Sequence, residues 1–226
     1  MARAALDFIF MFTHADETVG DCLEVFETAA RAGVKHMGFK DLGVPYEILV
    51  ELNRRIKAAG AVSYFEVVSS TTEACLESAR VARRIGVDCV MGGTEAGEIL
   101  AILEGSGIEY LPFPGRPAGH PTVLGGRPGD VEADCRRFEA LGCAGVDLLA
   151  YRATEADPLE LVRAARRATR GTLVVAGSID SLARIRALAQ AGVNAFTIGS
   201  AAFDGAFSPR KDELAAQLEA ILEAAA

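Results

Sequence analysis

The feature that most constrains the fold is a repeated junction, in which an amphipathic stretch rich in Ala, Arg and Leu ends at a glycine and a short apolar run follows at once. A glycine in this place suits the left-handed backbone that ends many helices. A short apolar run is typical of a buried parallel strand. The seven junction glycines lie 21 to 35 residues apart, so each interval holds one strand and one helix: Gly33, Gly60, Gly86, Gly107, Gly142, Gly171 and Gly192.

With the opening apolar run, the seven junctions predict eight strands. Eight parallel strands that alternate with helices form either an open doubly wound sheet or a closed (β/α)8 barrel. The even spacing, and the lack of a G-x-G-x-x-G motif after the first strand, favour a TIM barrel in one domain of residues 1–226. The strands are predicted at about residues 6–12, 35–39, 62–67, 89–91, 109–112, 147–150, 173–176 and 195–198, and the last helix at 214–226.

Charge and composition exclude several function classes. The formal net charge is -8 and the pI is about 5.0, which argues against a general nucleic-acid surface. The apolar run at residues 8–12 is too short to span a bilayer, so we expect no membrane segment and no signal peptide. Five cysteines without paired spacing indicate free thiols in a reducing compartment, and we therefore expect a cytoplasmic protein.

Two Gly-Ser pairs follow the last two predicted strands. Gly177 and Ser178 come after the seventh strand, and Gly199 and Ser200 come after the eighth. Glycines at these places let the backbone approach an oxyanion, and TIM barrels often hold a phosphate here. The alternative is that both pairs are only tight turns. Their occurrence in consecutive units favours a phosphate site.

At this point the sequence resembles the ribulose-phosphate-binding barrel superfamily, and its last third looks like the isomerases of histidine and tryptophan biosynthesis. The resemblance is specific over residues 172–203 and architectural elsewhere. It implies that the two Gly-Ser pairs contact the phosphate of a small phosphorylated metabolite. The histidine-pathway enzymes also use acids on strands one and five. Strand five has no acid near its C-terminal end here, so the same rearrangement is not expected.

Charged residues near the ends of apolar strands are the candidates for chemistry. Lys40 closes the second strand, and Glu66 lies between apolar neighbours in the third. Such residues are costly to bury unless they are paired or used, so the two form either a structural ion pair or an acid/base pair. Asp16 and His120 are further catalytic candidates. Asp147 is placed at the start of the sixth strand, where a structural role is expected.

A long loop is predicted after strand five, at residues 114–128, because the segment is rich in Gly and Pro and has no apolar period. We expect it to lie over the C-terminal mouth as a mobile lid that delivers Arg116 and His120. His14 and Arg152 follow the first and sixth strands, and with Arg116 they are the predicted substrate contacts.

Three functional hypotheses remain open at this level. The first is a phosphosugar isomerase or lyase that transfers a proton next to a carbonyl group. The second is a Schiff-base aldolase with Lys40 as nucleophile, and the third is a non-catalytic phosphometabolite-binding protein. Related pentulose-phosphate epimerases hold a divalent ion, but the spacing of His14, Asp16, Glu66 and His120 is not theirs, so we expect neither metal nor cofactor. A homo-oligomer is compatible with the sequence.

Overall fold

The computed structural model describes residues 6–69, 71–210 and 213–226. Eight parallel strands form the central sheet, as the glycine junctions predict. Their bounds are β1 (Asp7–Met11), β2 (His36–Lys40), β3 (Val62–Val67), β4 (Cys89–Gly92), β5 (Glu109–Leu111), β6 (Gly145–Leu148), β7 (Thr172–Val175) and β8 (Ala195–Ile198).

Helices connect the strands and cover the outside of the sheet. They are α1 (Cys22–Arg31), α2 (Tyr46–Ala58), α3 (Thr72–Ile85), α4 (Ala96–Leu103), α5 (Pro128–Leu141), α6 (Pro158–Ala168), α7 (Leu182–Gln190), α8 (Ser200–Phe203) and α9 (Leu214–Ala225). The last helix packs against α1 and α7. Within the described ranges, no helix combines the length and the apolar character needed to cross a bilayer.

The sheet closes on itself. Its strand order is β6-β7-β8-β1-β2-β3-β4-β5, with all eight strands parallel. The two end strands meet through backbone hydrogen bonds of 3.0 Å, from Ala144 N–H to the Tyr110 carbonyl and from Asp147 N–H to the Pro112 carbonyl. The chain is therefore a (β/α)8 TIM barrel.

Side chains alternate between the barrel interior and the layer under the helices. On β1, Phe8 and Phe10 pack in the outer core, whereas Ile9 and Met11 belong to an inner cluster that includes Met91. The alternation follows from the two-residue period of a strand. It determines which strand residues can reach the cavity at the mouth of the barrel.

Six of the seven junction glycines have a left-handed backbone, with φ between 69° and 92°. Five of these end a helix, whereas Gly107 lies in the loop between α4 and β5. Gly171 is the exception. Helix α6 ends at Ala168, and Gly171 lies so close to the Ala144 carbonyl that a Cβ there would be only 2.5 Å from its oxygen. This glycine is needed for close packing between loops, not for a positive φ.

The segment after β5 lies at the C-terminal mouth, as expected, but it is not without structure. A two-stranded antiparallel hairpin pairs Arg116–Ala118 with Val123–Gly125. Leu124 is fully buried and Thr122 nearly so, which anchors the segment to the barrel.

The bounds of β6 differ from the prediction in a way that affects the site. The strand begins at Gly145 and ends at Leu148, two residues earlier than expected, and a short 3-10 helix follows at Ala150–Arg152. The placement of Asp147 at the entrance of the strand was therefore wrong. Asp147 is the third residue of β6, and Arg152 belongs to the 3-10 helix.

Gly145 gives a test of barrel closure. A Cβ on this buried residue would overlap the backbone of Thr172 on β7, which cannot move without breaking the sheet. We expect Gly145→Ala to lower the free energy of unfolding by at least about 2 kcal/mol, measured by chemical denaturation. Gly97→Ala is the control, since it lies in the first turn of α4 with open space around it and should be neutral or slightly stabilising. Equal effects of the two substitutions would contradict the packing described here.

Candidate active site

A cavity of about 560 Å³ opens at the C-terminal ends of the strands. Its lining includes ionised side chains from the first half of the chain and both Gly-Ser turns from the second half. The position agrees with the place where TIM barrels carry their active sites. The charged side chains of this lining are Asp16, Lys40, Glu66, Arg152, Asp180 and Asp204, and the turns at 177–178 and 199–200 belong to the same wall.

Lys40 is the centre of a buried ion cluster. Residues 40 and 66 are direct neighbours in the β2/β3 register, and both side chains point into the barrel. The Lys40 Nζ lies 2.9 Å from Glu66 Oε2 and 3.0 Å from Asp16 Oδ1. Burial disfavours the ammonium, but the charges of Glu66 and Asp16 outweigh it and raise the pKa of Lys40. The lysine is therefore held in its charged form.

Asp16 is placed by an unusual backbone. It lies in a tight turn between the short strands Thr13–His14 and Glu17–Thr18, and both it and Ala15 have positive φ, at 68° and 49°. Non-glycine residues rarely adopt this conformation, and it costs free energy that surrounding contacts must offset. The turn aims the Asp16 carboxylate inward, where it is 3 % exposed.

Arg152 secures that carboxylate from the other side of the mouth. Its two terminal nitrogens lie 2.6 and 2.8 Å from the Asp16 oxygens, and Thr122 N–H donates a further hydrogen bond of 2.9 Å to Asp16. Burial would raise the pKa of Asp16, but Arg152, Lys40 and the Thr122 N–H together hold it well below its usual range. Asp16 is thus a fixed anion between two cations.

The loop after β5 is part of this cluster through Thr122. Arg152 donates a hydrogen bond of 3.1 Å to the Thr122 carbonyl, while the Thr122 N–H binds Asp16. Thr122 and its neighbours Pro121 and Val123 line the cavity. The hairpin is therefore attached to the ion cluster through its backbone.

The two Gly-Ser turns form a further part of the cavity wall. Gly177 and Ser178 both have positive φ, at 78° and 55°, and no hydrogen bond in the described part of the chain uses their N–H groups. Gly177 packs against the Arg152 side chain, and Gly199 packs against Thr13 so closely that neither has room for a Cβ. Ser200 Oγ accepts a hydrogen bond of 3.1 Å from Ala15 N–H. Free backbone donors here are suited to bind an anion.

Three of the residues predicted from sequence lie elsewhere. His14 contacts Asp204 at 3.1 Å, His120 lies 3.8 Å from Glu17, and Arg116 forms exposed ion pairs with Asp130 and Glu155. None of the three is among the described residues that line the cavity. The ranges described contain no group of three His, Cys, Asp or Glu side chains placed to hold one metal ion.

Asp147 is the site residue that sequence reasoning missed. It is fully buried inside the barrel, and neither carboxylate oxygen has a hydrogen-bond partner among the described residues. Burial, followed by the charge of Glu66, raises the pKa of Asp147 well above its usual range. The signal in the sequence was an acid between Val146 and Leu148, both of which pack in the outer core. The alternation of the strand therefore directs residue 147 inward.

Comparison with known proteins identifies the fold. No family model and no curated protein matches the sequence. Among solved structures, a tryptophan synthase alpha-subunit from the hyperthermophile Pyrococcus furiosus is 14% identical, with a TM-score of 0.67 over 98% of both chains. A native KDPGal structure is 13% identical, with a TM-score of 0.68 over 97% of this chain and 93% of the other.

A third similar structure is that of the Amycolatopsis orientalis BexX/CysO complex. It is 18% identical, with a TM-score of 0.64 over 99% of this chain and 90% of the matched chain. Likeness at these identities concerns the fold, which is the one that the resemblance to ribulose-phosphate-binding barrels implies. The chain thus shares the (β/α)8 barrel fold of these proteins along nearly its whole length.

Proposed function

We propose that the protein is an enzyme that acts on a small phosphorylated metabolite and transfers a proton at a carbon next to a carbonyl group. The observation that carries the proposal is that one cavity holds both the Lys40–Glu66 pair and two Gly-Ser turns. The pair supplies a base beside a cation, and the turns supply backbone donors for an anion. The similar barrels of tryptophan synthase and KDPGal support an enzymatic role for this fold.

Glu66 is the proposed base. Its carboxylate lines the cavity beside the Lys40 ammonium, at 2.9 Å, and a carboxylate held there accepts a proton from a substrate carbon. Lys40 is the proposed electrostatic partner of the substrate oxygen. An ammonium has three donors. Glu66 and Asp16 occupy two of them, which leaves one N–H for the negative charge that develops on the carbonyl oxygen.

Asp16 and Arg152 have positioning roles in this proposal. Asp16 is ionised and bound on both oxygens, so it is a poor proton donor or acceptor. Its negative charge instead holds the Lys40 ammonium in place, and Arg152 in turn holds Asp16. His120, His14 and Arg116 lie outside the cavity and have no part in the proposed step.

The phosphate is assigned to the part of the wall that the two Gly-Ser turns form. The free N–H groups of Gly177 and Ser178, beside the turn at 199–200, are the donors for it. The carboxylates of Asp180 and Asp204 also line the cavity, and they are engaged by Arg184 and His14. Binding the phosphate there would leave the carbon chain of a small metabolite in the centre of the cavity. The reactive carbon would then lie between the turns and Glu66.

The two other hypotheses are less well supported. A Schiff-base mechanism needs a neutral Lys40 amine, whereas two carboxylates raise the pKa of this lysine. A binding protein without catalysis needs only the Gly-Ser turns. It does not explain why Lys40, Glu66 and Asp16 are buried at the same cavity, at a considerable cost in desolvation.

Solvent exchange tests the proton transfer without knowledge of the product. In D2O, the protein should introduce deuterium next to the carbonyl of a phosphorylated ketose or aldose in a panel of such sugars, as followed by proton NMR. Glu66→Gln should slow this exchange about 100-fold or more, because the base is lost. Glu77→Gln is the control, since Glu77 is exposed on α3 and should not change the rate. Exchange that survives Glu66→Gln would contradict the assignment of the base.

A charge at Ser178 tests the phosphate site. Ser178 is exposed with positive φ, a conformation that Asp and Asn tolerate better than most residues. We expect Ser178→Asp to weaken the binding of inorganic phosphate at least about tenfold by like-charge repulsion, measured by titration calorimetry at low salt. Ser178→Asn is the control, because Asn has nearly the shape of Asp without its charge. This variant should weaken phosphate binding much less. Equal losses in both variants would show that shape, not charge, is responsible and would remove the phosphate assignment.

Borohydride trapping separates acid/base chemistry from aldolase chemistry. Incubation of the protein with the same sugar phosphates and borohydride should leave Lys40 unmodified, because its ammonium is stabilised by Glu66 and Asp16. Intact-mass measurement and peptide mapping give the result. A reduced adduct on Lys40 would instead establish the Schiff-base alternative.

A further inference from the structure

Asp147 is the one buried acid at this site that the proposed step does not use. Its backbone is fixed on β6, where the N–H donates to the Pro112 carbonyl at 3.0 Å. Its side chain points into the barrel, because Val146 and Leu148 on either side pack in the outer core. It is fully buried, and its two oxygens have no partner within the described ranges. A buried carboxyl group without a hydrogen-bond donor is costly to ionise.

The charges around it are already balanced without it. The cations are Lys40 from β2 and Arg152 from the 3-10 helix, and the anions are Glu66 from β3 and Asp16 from the turn after β1. Each cation is in contact with an anion. A further negative charge at residue 147 would be uncompensated, and the charge of Glu66 would oppose it.

We propose that Asp147 is a neutral carboxylic acid in the resting protein, which carries the single proton of the Asp147–Glu66 pair and so keeps Glu66 ionised beside Lys40. The proton belongs on Asp147 because Glu66 has an ammonium at 2.9 Å, whereas none of the described residues donates a hydrogen bond to the Asp147 carboxyl group. Asp147 is thus a positioning residue. Its catalytic consequence rests on the proposed function, but its protonation state does not.

The surrounding groups agree with this assignment. Burial raises the pKa of Asp147 first and the charge of Glu66 raises it further, while Lys40 and Arg152 offset only part of the shift. The Cys89 thiol on β4 also lies near Asp147, and burial raises the pKa of this thiol well above its usual range. The Cys89 thiol is therefore neutral. Among the described residues, Glu66 is the one anion whose charge acts on Asp147.

The consequence for catalysis is a base that is ready before substrate arrives. When Glu66 takes a proton, the C–H bond of the substrate breaks and an O–H bond forms on Glu66, and the pair then carries two protons. Return of that proton to carbon or oxygen of the substrate restores the resting state. An ionised Asp147 would instead repel the negative charge on Glu66 in the resting protein.

Stability as a function of pH tests the protonation state in the absence of any substrate. If Asp147 is neutral when folded and ionised when unfolded, unfolding releases one proton above the ordinary pKa of an aspartate. The unfolding equilibrium constant of the wild type should then rise relative to that of Asp147→Asn by about tenfold per pH unit between roughly pH 5 and 7. Chemical denaturation at several pH values measures both constants.

Asp88→Asn is the matched control. Asp88 is partly exposed and forms an ion pair with Lys57, and its interactions with Lys57 and Ser63 outweigh burial and lower its pKa. It is therefore ionised in both states above pH 5, and the ratio of its unfolding constant to that of the wild type should not change from pH 5 to 7. A flat ratio for Asp147→Asn as well would overturn the proposal.

Carboxyl carbon NMR gives a second measurement on the unsubstituted protein, which covers the case in which Asp147→Asn does not fold. With carbon-labelled aspartate, one carboxyl resonance should lose its proton at a higher pH than all the others and should still report a protonated acid at pH 7. This resonance is expected to be that of Asp147. Glu66→Gln should lower the pH at which this resonance titrates, because the charge that opposes its ionisation is gone. An ionised Asp147 at pH 7 would overturn the proposal, and neither result bears on the deuterium exchange that tests Glu66 as the base.

Discussion

The buried ammonium of Lys40 is the constraint from which the rest of the site follows. A cation inside a barrel is stable only with anions in contact, and Glu66 on the neighbouring strand supplies one directly through the sheet register. The second anion, Asp16, is buried too and needs its own cation, which Arg152 supplies. One buried charge thus requires three further charged side chains.

This requirement also explains local features that look unrelated. The strained turn at Ala15 and Asp16 brings that carboxylate to the Lys40 ammonium. Thr18 closes the same turn, as its hydroxyl binds both the N–H and the carbonyl of Lys40, at 2.9 and 3.0 Å. The lysine is therefore fixed at its main chain and at its ammonium.

The sequence is sufficient to predict the architecture and the centre of the site, but not the contacts that complete it. The seven glycine junctions and the opening apolar run locate the eight strands, and the register of neighbouring parallel strands brings Lys40 and Glu66 together. Thr122 shows no signal, because it acts through its backbone, which every residue has. The position of Asp147 was predicted wrongly because the start of β6 was set two residues late. With the observed start at Gly145, Asp147 lies near the C-terminal end of the strand and not at its first residue.

The ion cluster joins distant parts of the chain. Asp16 and Arg152 are 136 residues apart in sequence, and Asp16 and Thr122 are 106 apart. Contacts of such long range close large loops, which costs conformational entropy. On a ribosome, Asp16 and Lys40 emerge long before the arginine that completes their charge balance. A chain synthesised only as far as its first five βα units lacks Arg152, so it cannot complete this centre.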